Sequence, residues 1–236
     1  MPFIEPPTKT DAPSGKVNSR TRVQGAAGYF LHVTAMGVSL RKSAPSEERK
    51  LERAFDYLGE GHAENALRLG NEMVERDGDF ATAHEVRALA LTLLGRIDEA
   101  DKAFVRAAEI DPEQYFLPFR LKRSAFDGAV ERQLAKLPPQ FREHLENVEL
   151  AVEDVPSLEF IEDGLEFDLL GIYIGATVEA DDWDLPDRVV LFQRNIENIS
   201  PDRETLLTEI RDTLLHELGH HFGMEEDTLR EIEDTD

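Results

Sequence analysis

Cysteine is absent from the 236-residue chain. Disulfides and cysteine-based zinc sites are excluded, and His, Asp and Glu remain as the strong metal ligands. The same absence favours a reducing compartment, so the cytoplasm is the expected location. Long apolar runs are also missing: none reaches 18 residues, and no transmembrane helix is expected. The most apolar N-terminal stretch, GAAGYFLHVTAMGVSL, follows a polar, proline-bearing segment and carries no small-residue cleavage pattern. No secretory signal is expected there, and Met36 offers an alternative start. Basic charge is scarce, with 26 Lys and Arg against 49 Asp and Glu, for a net −23. The imbalance grows along the chain, from +4 over residues 1–50 to −8 over 51–118 and −19 over 119–236. So acidic a surface repels phosphate, which argues against nucleic acid and anionic membranes as partners.

Apolar residues make up 41% of the chain, enough for a sizeable core. The first segment, 1–45, is rich in Pro, Ser, Thr, Lys and Arg and reads as a disordered tail. The second, 46–118, contains a 34-residue repeat. Ala54, Tyr57, Gly61 and Ala66 answer to Ala88, Leu91, Gly95 and Ala100, and the second copy continues with Phe104, Ala107 and Pro112. Small residues there let antiparallel helices approach, and glycine makes the turn between them. HEVRALALTLLGRIDEADKAFVRAAEIDP resembles the tetratricopeptide repeat, which implies a helical groove for a peptide or protein partner. Gly70 stands where that repeat has a large apolar residue. Two repeats need a cap, and the helix expected over 119–137, with Phe126, Val130, Leu134 and Leu137 at helical spacing, is the nearest one.

The third segment, 119–236, changes pattern. NVELAVED alternates Val148, Leu150 and Val152 with acids, as a half-buried strand does. LLGIYIGATV (169–178) and RVVLFQ (188–193) read as two more strands. EADDWDLPD between them lacks calcium-loop spacing and reads as solvated. A long helix is expected over 201–221 and a short one from 225 onward. The order of elements predicts an α+β domain over 119–236.

The long helix ends in TLLHELGHHFGMEED. On a helical wheel Leu207, Ile210, Leu214, Leu218 and His221 form one apolar stripe, while His216 and His220 fall on the opposite side, with Glu217 beside them. Histidines at i and i+4 can aim their ring nitrogens at one metal ion. His216-Glu217-x-x-His220 is the spacing of a zinc site with a glutamate base. Paired histidines also occur on ordinary solvated helix faces. Gly223 can end the helix in a sharp turn and swing Glu226 back as third ligand. Asp227 is the runner-up and Glu225 a weaker alternative. His221 reads as a hydrogen-bonded core residue or a support for a ligand, with direct metal or substrate contact as the alternative.

FDGAVERQLAKLPPQFREHLENVELAVEDVP, LLGIYIG, LPDRVVLFQRNI and LLHELGHHFGMEEDTLREI together resemble the small bacterial zincin-like metallopeptidase family over residues 122–232. The resemblance implies a zincin-like fold, one Zn2+, His216 and His220 as ligands and Glu217 as base. The family has an acid, often Asp, where Glu226 stands. The implied activity is hydrolysis of peptide bonds in a peptide or protein substrate, lying along an edge strand such as LLGIYIG. Tyr173 is a candidate donor to the oxyanion, with core packing as its alternative role. The rival expectation is a repeat-based interaction protein whose zinc site is structural or vestigial, with Glu217 as a surface residue.

Overall fold

The computed structural model describes residues 45–137, 148–175 and 187–221, apart from the side chains of Pro45, Asp187, His220 and His221. Four helices come first: α1 (Pro45–Gly59), α2 (Ala63–Arg76), α3 (Ala81–Leu93) and α4 (Ile97–Ile110). They form two hairpins offset by 34 residues. Gly61 and Gly95 hold the equivalent turn at φ 75° and 71°, a region that side chains rarely enter. In each turn the amide after the glycine reaches back five residues: His62 N donates to Tyr57 O at 2.8 Å and Arg96 N to Leu91 O at 2.8 Å. Both helix ends are thereby satisfied in the same way. Ala54 and Ala88, and likewise Ala66 and Ala100, are fully buried equivalents.

The chain then passes through 115–122 into α5 (Arg123–Leu134). Strands β1 (Val148–Glu153), β2 (Gly171–Ile174) and β3 (Asp187–Phe192) form one sheet in the order β1-β3-β2. β1 runs parallel to β3, in register from Val148 opposite Asp187 to Glu153 opposite Phe192. β2 runs antiparallel to β3, with Gly171 opposite Leu191, and among the described residues lies at an edge. The short α6 (Leu158–Glu162) sits in the β1–β2 connection, α7 (Gln193–Asn198) follows β3 directly, and α8 (Arg203–His221) closes the described chain. Asp202 starts α8 by accepting Thr205 N at 2.9 Å, the role of a carboxylate at a helix N-terminus.

Alternation along the strands divides the sheet into two faces. Leu150, Val152 and Leu191 join Phe126, Ala129, Val130, Ile196, Leu206, Ile210 and Leu214, so that α5 and α8 cover one face. Val190 and Phe192 point the other way, toward Leu165, Leu169 and Ile172. The helix expected to cap the repeats thus turns its apolar side to α8 and the sheet, because Phe126 and Val130 meet the larger apolar surface there. The array is covered elsewhere. Ile161 of α6 is buried among Leu58, Ala63, Ala66, Leu67, Leu91 and Leu93, with Val155, Leu158 and Phe167 beside it. A second bridge runs through Arg120, whose guanidinium contacts Asp101 of α4 at 2.9 Å and Glu197 of α7 at 3.3 Å.

Candidate functional site

α8 carries His216, Glu217, His220 and His221 in its last two turns. Its buried stripe runs Leu206, Ile210, Leu214, Leu218, with Thr213 and Glu217 alongside. Two expectations change here. Leu206, not Leu207, lies at the centre of the apolar contact, and Leu207 is half-buried at its margin. Glu217, expected beside the exposed histidines, is 0% exposed. Seven residues after Ile210, it falls about 20° from it on the helix, at the margin of the buried stripe, and α8 has two neighbours. Leu206, Ile210 and Leu214 face α5, while Thr213 and Glu217 face β2.

Gly171 explains how a carboxylate side chain fits there. A Cβ at Gly171 would stand 2.7 Å from Thr213 Cγ2, 3.1 Å from Glu217 Cγ and 3.1 Å from the Val190 carbonyl oxygen. A strand glycine marks a close approach of backbone to another segment. That signal was present in the sequence, within LLGIYIG, and could have pointed to this contact. Tyr173, two residues along the same face, packs with Leu137, Val189, Leu215 and Leu218. The structure therefore gives its ring the core role.

His216 is half-exposed, next to buried Leu215 and Glu217. The His220 side chain and all of Glu226, Asp227 and Glu225 lie outside the described residues, as does the side chain of His221. Among the described residues no three His, Asp or Glu side chains converge as a metal site. His216 is thus the one expected ligand whose side chain is described. The chemistry of the donor set still fits zinc, with two imidazoles one helical turn apart, no cysteine, and acids following at 225–227.

α7, which follows β3, carries a polar clamp that sequence patterns did not reveal. Glu197 of α7, 0% exposed, accepts Leu121 N at 3.0 Å, Gln193 Nε2 at 2.7 Å and Arg194 Nη1 at 2.8 Å. With Arg120 as a further donor its buried charge is compensated. Asn195 donates to the carbonyls of Phe167 at 3.0 Å and Leu169 at 2.7 Å, holding the segment that leads into Gly171. In that segment burial pushes the Asp168 carboxyl up to about 6, with Glu166 adding to the rise and the residue's own amide opposing it.

Residues 145–235 match the family model described as zincin-like metallopeptidase. That stretch contains the sheet, α6 to α8 and the His216–Glu217–His220 series, and leaves out the helical array and α5. No curated protein matches the chain. The small mixed sheet with its long helix is the α+β, zincin-like arrangement anticipated for this half, preceded by helices. Among the described residues no helix is long and apolar enough to cross a membrane.

Proposed function

We propose that the chain is a zinc-dependent peptidase, with His216, His220 and Glu226 as metal ligands and Glu217 as general base. The observation that carries this reading is the burial of Glu217 against β2, inside a stretch that matches the zincin-like family. A surface helix residue, as the non-catalytic alternative requires, would not be buried. When bound, zinc supplies Lewis acidity toward a substrate carbonyl and acidifies a water. Glu217 takes the proton from the attacking water and returns it to the leaving amine. Its packing against strand backbone fixes the side chain before substrate arrives, so little reorganisation accompanies the step.

The substrate is an extended peptide that adds to the side of β2 with which no described strand pairs. There Ile174 is 40% exposed, which offers apolar contact beside the backbone hydrogen bonds. Domain limits of 46–118 for a tetratricopeptide-like pair and 119–236 for the peptidase agree with the two hairpins and with α5 packing on α8. In this reading the pair recruits substrate or a protein partner, and the lack of cysteine favours the cytoplasm. The test incubates a broad peptide pool with the native chain and with Glu217→Gln at equal zinc content. Fragments made by the native chain, suppressed by a chelator and reduced ~10²–10⁴-fold in the variant, are the expected result. Equal cleavage by both proteins would remove Glu217 from the mechanism.

A further inference from the structure

Gly171 bears on the reaction itself. Three groups crowd the place where its Cβ would be, and they differ in kind. The Val190 carbonyl oxygen belongs to the neighbouring strand and cannot move without breaking the sheet pairing of Gly171 with Leu191. The Thr213 methyl group, at 2.7 Å, is the nearest obstacle. The third is Cγ of Glu217 at 3.1 Å, within a side chain that is 0% exposed. A buried side chain has neighbours all round, so a methyl group added on one side must displace it. Resting on the peptidase reading above, we propose that Gly171 is a positioning residue for Glu217. The missing side chain lets the base seat against the edge strand, which would also receive the substrate. One backbone position thus sets base and substrate in a common frame.

The rival role for Gly171 is packing alone, and Thr213 separates the two. Gly171→Ala should lower Tm, chiefly through the Thr213 methyl group. Adding Thr213→Ser removes that methyl group and keeps the volume nearly constant, so Tm should recover. The contact with Glu217 remains, and the base stays displaced by a few tenths of an ångström. Misplacement on that scale should lower kcat roughly tenfold with KM little changed. The double variant should therefore recover its melting temperature and zinc content but not its turnover on the peptide that the native chain cleaves best. A crystal structure of the double variant should show Glu217 moved away from β2. Full recovery of turnover, or an unmoved Glu217, would overturn the role of Gly171 while leaving the peptidase reading intact. A native, zinc-loaded chain that cleaves nothing in the pool would overturn the peptidase reading, and this role with it.

Discussion

The helical array and the sheet-and-helix region satisfy their buried polar groups over different distances in the chain. In the array the partners lie within about one repeat, the farthest apart being the hydroxyls of Thr82 and Tyr115, 33 residues away from each other. Thr92 Oγ1 donates to the Ala88 carbonyl at 2.8 Å, four residues back, and His84 Nε2 pairs with the Gly78 carbonyl at 3.0 Å, six residues back. In the second region Ser200 and Thr213 also bond four residues back, but other partners lie two repeats' length away or more. Glu197 accepts from Leu121 N across 76 residues, and Arg123 Nε donates to Gln193 Oε1 at 2.7 Å across 70. The array is thus a stack of locally finished hairpins, of the kind whose stability is close to a sum over neighbours. The site region is finished only when distant segments meet. That is the kind of construction that fixes a reactive side chain within a few tenths of an ångström, as catalysis requires.

The largest expected effect follows from the longest-range contact. Glu197→Ala leaves Arg120 and Arg194 without their buried carboxylate, and breaking such a pair costs about 3–5 kcal/mol. Chemical denaturation should show the loss. A cost below ~1 kcal/mol, as for a surface ion pair, would erase the contrast between the two regions.

Asp168 comes next, and its sign is opposite. Its carboxyl titrates at about 6 in the folded chain against a usual 3.8. Above pH 6 it is ionised in both states, and the folded state carries the full cost of burying the charge. As pH falls through 6 toward 3.8 the folded state takes up a proton before the unfolded state does, and the cost disappears. Asp168→Asn should therefore stabilise the protein at pH 7 by on the order of 2 kcal/mol and have little effect near pH 4. Thermal melts at the two pH values check this, and an equal effect at both would rule out the burial account.

The smallest effect belongs to the array. Gly95→Ala places a side chain at φ 71° with open space around it. The cost is backbone strain alone, about 1–2 kcal/mol. Gly61→Ala should cost more, because Leu158 O and Glu162 Cγ of the α6 segment lie 3.1 Å from the added atom. Equal losses at the two turns would mean that the α6 segment does not brace the first hairpin.

The same contrast governs what could be read from the sequence. The hairpins, the three strands and α8 were legible because each is written in a local spacing: small residues 34 apart, alternation in VELAVE, and the i, i+4 histidines. Gly70 looked like a defect in the repeat, yet a Cβ there would meet Arg87 Cγ at 2.7 Å, so it permits the close approach of α2 and α3. The burial of Glu217 was legible in the same spacing: seven residues after Ile210, it falls about 20° from it on a wheel, on the apolar stripe and away from His216. The position of α5 and the clamp around Glu197 were missed because both depend on partners that no local pattern names.

The peptidase proposal places a metal centre on α8 with the buried base Glu217 beside it. The direct measurement is zinc content per folded chain in the native protein, His220→Ala and Glu217→Gln. The account predicts about one zinc in the native chain and in Glu217→Gln, and none in His220→Ala, with all three melting cooperatively. Stoichiometric zinc retained by His220→Ala would contradict it, because the metal would then lie away from α8 and burial of Glu217 would serve no reaction there.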